Sequence, residues 1–146
     1  MDKKMRTKFD INLAEGKKGE NLVSKILGKT VEIKTDFQWQ KYGNFFIECE
    51  CYSQNTGRYE KSGIMNTEAE LWAIVLGDDK RDVEKFYSVI FIRTEWLRKM
   101  VQLKYTRGNM VEHNGGKNPT KGVKILNEEF FEWLRNPPTK NIYRRT

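Results

Sequence analysis

Three carboxylates fall close together in the first half of the chain: Asp36, Glu48 and Glu50. Residues 31–36 and 45–52 both alternate apolar and polar as strands do, and the polar turn between them ends in Gly43-Asn44, which suits a hairpin-like connection. The two-residue period of a strand puts Glu48 and Glu50 on one face, and Asp36 closes the first strand with the parity of Glu32 and Lys34. On adjacent strands these like charges repel one another unless a cation sits among them. With oxygen ligands only, that cation is Mg²⁺ or Mn²⁺. Asp36, Glu48 and the backbone carbonyl of Cys49 supply one shell. Glu50, about 6.6 Å further along the strand, reaches a second metal or an attacking water. Metal held there lowers the pKa of bound water and stabilises charge on a phosphate undergoing in-line displacement. The plainer alternative is a solvated strand face, since polar residues alternate outward in many antiparallel sheets. Against it stand Asp36, the aromatic run of Phe45, Phe46 and Tyr52, and the absence of a lysine within residues 48–52.

The wider composition points to an acidic partner. The chain has 146 residues, a net charge of +7 and 32% charged residues. Nucleic acid is the commonest partner of such a balance. Its length suits one domain, 1–146, with a basic arm at 1–14 and a basic tail at 136–146. Eight Phe, six Tyr and four Trp favour a packed globule over a disordered chain. No long apolar run suggests a membrane, and the first residues lack the apolar core of a secretory signal. A cytoplasmic, non-secreted protein is expected. The two cysteines, Cys49 and Cys51, have neither the count nor the spacing of a zinc site, and a disulfide between them would be strained. They read as small core-facing residues on the back of the strand. The lone histidine, His113, removes paired-histidine chemistry.

Helices and strands must position these residues. Residues 15–27 read as a helix with Leu22, Val23, Ile26 and Leu27 on one face and Gly28 as its stop. Residues 54–62 read as a polar loop, and a short helix is expected from Asn66 or Thr67. Residues 71–76 and 86–92 read as buried strands separated by a charged turn at 77–82. Thr94 is the expected cap of a helix running to about Leu103. Residues 104–121 form a basic loop, 123–126 a last strand, and Asn127 caps a helix through Leu134 that Pro137-Pro138 stops. Helices interleaved with strands indicate an α/β fold, a mixed sheet with helices on both faces.

Asp36, then Glu48-Cys49-Glu50 after a turn, preceded by Glu20 on a helix, resembles the PD-(D/E)xK nuclease superfamily, which includes restriction endonucleases, junction resolvases and phage recombination nucleases. The segment Lys61-Ser62-Gly63-Ile64 with Thr67 and Ala69 resembles one that follows the catalytic strand in phage and resolvase-like members. The likeness covers about half of the chain. It implies a restriction endonuclease-like mixed β-sheet flanked by α-helices and a Mg²⁺- or Mn²⁺-dependent endodeoxyribonuclease of phage or mobile-element origin, and it allows a homodimer. It also implies that Glu20, Asp36 and Glu48 are the helical glutamate, the metal-binding aspartate and the second ligand. Glu50 stands where the family has lysine. Lys34, Lys41 or Lys61 is then expected to take the lysine's role, Lys61 first because it follows the strand on a loop. The same departure supports an alternative, a catalytically inactive nucleic-acid-binding module on a nuclease fold. A third possibility is a structural protein whose basic charge meets an acidic protein partner.

Phosphate contacts are expected from Lys17, Lys18, Lys41, Arg58, Lys104, Arg107, Lys117 and Lys121, most of them in glycine-rich or asparagine-rich loops. His113 reads as a loop residue touching backbone or phosphate. Trp39 and Tyr42 either stack on a base or cap the core. Glu32 and Lys34 read as surface or edge residues.

Overall fold

The computed structural model describes Lys25, residues 28–114 and residues 118–137. The chain divides into two units, Met1–Thr30 and Val31–Thr146, and both sheets lie within the second. The expected arm at 1–14, the helix at 15–27 and nearly all of the basic tail lie outside the described residues.

Val31–Asp36 forms β1, and a four-residue helix α1 (Trp39–Tyr42) leads into β2 (Asn44–Ser53). The expected hairpin between β1 and β2 does not form. Instead β1 pairs in parallel with β4 (Leu71–Asp79), which pairs antiparallel with β5 (Asp82–Arg93). β2 belongs to a second, antiparallel sheet of order β3-β2-β7-β6, with β3 at Arg58–Lys61, β6 at Val111–His113 and β7 at Thr120–Leu126. The fold is α/β, as the interleaving implied, but the strands are shared between a three-stranded and a four-stranded sheet. α1 explains why a hairpin fails here. It closes at Gly43 in the left-handed conformation (φ +63°), whose N–H bonds Trp39 O at 3.0 Å, and this corner sends the chain to the other sheet.

That corner is tied to both sheets. The Trp39 indole N–H donates to Gly77 O of β4 at 3.2 Å, and Asn127 donates from its side chain to Trp39 O and from its backbone to Gly43 O. Asn127 is the first residue of α3 (Asn127–Arg135), following directly on β7. Of the two turn aromatics, Trp39 therefore packs against the core, whereas Tyr42 is exposed.

The core is assembled from Phe45, Ile47 and Cys49 of β2, Val123 and Ile125 of β7, and Trp72, Ile74 and Leu76 of β4. Helix α2 (Thr94–Thr106) adds Leu97, Met100 and Val101, whose i, i+3, i+4 spacing makes one apolar stripe. Phe130 of α3 meets Phe45 edge to face at 5.1 Å. Such aromatic pairs contribute about 0.5–1.5 kcal/mol beyond their burial. Thr94 does not cap α2. Its hydroxyl is buried without a hydrogen-bond partner among the described residues, while its N–H binds Glu70 O at 3.0 Å.

Two further segments differ from expectation. The loop at 54–62 contains β3, so β2 and β3 form a hairpin, turned at Gly57 (φ +67°). The short helix is a 3₁₀ turn at Gly63–Met65, earlier than Asn66 or Thr67. Arg98 of α2 clamps it, donating to Ile64 O at 2.9 Å and Thr67 O at 2.8 Å. Much of the expected basic loop is also ordered, as the end of α2, β6 and the start of β7.

Candidate functional site

A cleft of about 620 Å³ opens where the C-terminal end of β1 faces β2. Asp36 and Glu48 both line it, with Lys34, Lys80, Lys124 and His113 around them and Trp72 and Ile74 among its apolar walls. Alternation alone put the two acids on adjacent strands; the fold brings them together from different sheets.

Each is positioned locally. Asp36 ends β1, and its Oδ1 accepts the backbone N–H of Gln38 at 2.7 Å, an Asx-type turn that starts the bend into α1. Glu48 sits in the middle of β2 and accepts the Ser62 hydroxyl at 2.7 Å, while the Ser62 N–H binds Cys49 O at 2.9 Å. The Ser62-Gly63 backbone can lie this close to β2 only because Gly63 lacks a side chain. A Cβ there would run into the Glu48 carbonyl, and φ is +52°. On the other side of Glu48, β7 presents Gly122, where a Cβ would strike Ile47 O and the Phe46 ring. Two glycines thus bracket the glutamate.

Glu50 departs from its expected place. On β7 the partners of Glu48 and Glu50 are consecutive residues, Gly122 and Lys121, so the register slips by one and the strand bulges at Cys49. Consecutive strand residues face opposite sides of a sheet. Glu50 therefore leaves the face of Glu48 and turns toward α2, where the Tyr105 hydroxyl donates to it at 3.0 Å. That bond to a carboxylate holds the Tyr105 pKa above its ordinary value, with the nearby negative charge and partial burial adding to it. Lys61 and Lys121 stand directly opposite Glu50 on the two flanking strands and share its side. Lys61, first choice for the missing family lysine, is accordingly not among the cleft residues, nor is Lys41. Lys34 is. It precedes Asp36 by two residues on the same face of β1, pairs with Glu32 at 2.8 Å, and holds its ammonium 5.6 Å from the Trp72 ring centroid. Lys34 is thus an exposed residue of an edge strand, as expected, and of the three lysines considered for the family lysine's role it is the one that lines the cleft.

Among the described residues, no three His, Cys, Asp or Glu side chains gather closely enough to hold a metal. Glu20 lies outside those residues. Asp36 and Glu48 both bring carboxylate oxygens, the donor type a hard divalent cation takes, to the same cleft. Mg²⁺ is usually held by one or two carboxylates, with water and substrate phosphate completing the shell. Among the described residues neither acid is in an ion pair, although three lysines line the same cleft. The Cys49 carbonyl already accepts the Ser62 N–H, so any role as a ligand would use its second lone pair. Cys49 itself is fully buried, and burial pushes its thiol up to about 12.

The expected phosphate contacts divide. Lys41, Arg58 and Arg107 are exposed. Lys104 is committed within the fold: its ammonium bonds Glu129 at 2.8 Å and Lys124 O at 3.1 Å beside Trp133. Lys121 lies 3.9 Å from the Tyr59 ring centroid. Lys17, Lys18 and Lys117 lie outside the described residues. Lys80 and Lys124, both on the cleft, went unnoticed because nothing local distinguishes them from other surface lysines.

The fold and the cleft define an α/β protein with two acids and three lysines lining one concavity. No family model matches the chain, and neither a curated protein nor a solved structure matches it. Among the described residues no helix is long and apolar enough to cross a membrane.

Proposed function

We propose that this chain is a metal-dependent endodeoxyribonuclease, a distant relative of the PD-(D/E)xK nucleases, encoded by a phage or mobile element and acting in the cytoplasm. The carrying observation is the pairing of Asp36 and Glu48 in one lysine-lined cleft, with neither acid neutralised by an ion pair among the described residues. Two carboxylates and three lysines lining one cleft suit a site that takes up a divalent ion and a phosphate together. Asp36 and Glu48 would hold Mg²⁺ or Mn²⁺, which supplies an activated water and charge neutralisation at the phosphate. Ser62 fixes the Glu48 carboxylate. Lys34, two residues from Asp36 and ion-paired with half-buried Glu32, would turn to the phosphodiester in the family lysine's stead. Lys80 and Lys124 bind flanking phosphates, so affinity falls steeply with salt.

The test is cleavage of duplex, nicked, branched and single-stranded DNA with Mg²⁺ or Mn²⁺. The expected result is metal-dependent cutting that Glu48→Gln abolishes while the fold and most DNA binding persist. No cleavage of any of these substrates with either metal would overturn the assignment.

The turning of Glu50 away from the cleft favours a second reading, a nucleic-acid-binding module without catalysis. Calorimetric titration with Mn²⁺ separates the two: uptake that Asp36→Asn or Glu48→Gln removes supports the nuclease, and none supports the silent module.

A further inference from the structure

We infer that the cleft accepts an unpaired strand rather than duplex DNA, with Tyr42 as a stacking platform at its mouth. This rests on the nucleic-acid reading above. Tyr42 is 56% exposed yet lines the cleft, at the end of α1, a corner that hydrogen bonds pin to both sheets. Its ring is therefore open to a ligand entering the cleft. Lys41 holds its ammonium 5.1 Å from the centroid of that ring, so a cation already sits beside the aromatic surface. Also lining the cleft, the Phe46 and His113 rings form a tilted pair with centroids 5.5 Å apart, a second aromatic element among the lysines. Trp72, on the cleft wall, is 1% exposed, and its indole N–H has no hydrogen-bond partner among the described residues.

Aromatic faces alternating with cations are the arrangement that holds single strands, because every unpaired base offers a face to stack on. In a duplex those faces are covered by neighbouring base pairs, and only phosphates and groove edges remain to be touched. The volume of about 620 Å³ is that of a small-ligand site and suits individual nucleotides drawn inside, not a double helix.

The experiment is fluorescence anisotropy with a labelled 20-nucleotide single strand and a hairpin duplex of the same sequence, in EDTA at low salt so that nothing is cut. The single strand is expected to bind at least about tenfold tighter. Tyr42→Ala should weaken single-strand binding by roughly tenfold and leave the duplex unchanged, and Tyr42→Trp should restore it, since stacking asks for a ring and not a hydroxyl. Equal binding of both probes, or an equal loss on both in Tyr42→Ala, overturns the inference while leaving the nucleic-acid reading intact. Binding to neither probe overturns that reading and this inference with it.

Discussion

The sharpest consequence of the Cys49 bulge is that Glu50 serves the fold and not the cleft. Its carboxylate accepts one hydrogen bond, from Tyr105 at 3.0 Å, and both partners are half-buried. Hydrogen bonds to charged groups contribute about 1.5–3 kcal/mol when well buried, and partial exposure brings this one down to about 1 kcal/mol. Tyr105→Phe and Glu50→Gln should each lower the melting temperature by roughly 3–5 °C, the range for a chain of this size. The double mutant should lose less than the sum, leaving a coupling energy of about 1 kcal/mol between residues in direct contact. A pH dependence accompanies it. Folding raises the Tyr105 pKa, so the neutral phenol is favoured in the native state. Its contribution is complete below the unfolded tyrosine pKa, about 10, and is lost as pH rises through the higher folded value. Thermal melts of wild type and Tyr105→Phe from pH 7 to above 10 should therefore converge at the alkaline end. Meanwhile Glu50→Gln should keep Mn²⁺ uptake and DNA cleavage near wild type. If Glu50→Gln abolishes cleavage or metal uptake and leaves the melting temperature unmoved, the bulge has been misjudged and Glu50 faces the substrate.

Other outcomes rest on the same geometry. Gly63→Ala should cost more than about 2 kcal/mol in chemical denaturation, combining a left-handed φ of +52° with a collision against the Glu48 carbonyl. Arg98→Ala strips the clamp from Ile64 O and Thr67 O and should lower stability by about 1–3 kcal/mol, read in the same assay. Lys34→Ala should reduce the cleavage rate far more than Lys61→Ala, measured with saturating DNA; the reverse order would return the lysine role to β3. Cys49, fully buried with its thiol pushed up to about 12, should resist iodoacetamide at pH 8 in native protein and react once the chain is unfolded in denaturant, as mass spectrometry would show.

Local pattern carried much of this molecule. Alternation along much of β1 and β2 made them legible, and the apolar run from Leu71 marked the buried β4. The helical spacing of Leu97, Met100 and Val101 found α2, and that of the aromatics after Asn127 found α3. Residue type and spacing also singled out Asp36 and Glu48, and both line one cleft. What the residues could not reveal was which strands pair. A turn of polar residues between two strands looks like a hairpin, and only the Trp39 and Asn127 hydrogen bonds show α1 sending the chain from one sheet to the other.

The face of Glu50 depended on a single extra residue. Parity along β2 puts it with Glu48, but the register against β7 is set by where Gly122 lets the strands approach, and that is a property of the partner strand. The fate of each lysine was likewise tertiary: Lys34 and Lys124 line the cleft, Lys104 is tied to Glu129, and Lys61 lies across from Glu50. Residue types and their spacing were enough for the α/β class, the basic charge and the two acids that share the cleft. Which neighbours those acids have was left to the folded chain, because strand pairing and register rest on contacts between residues far apart along it.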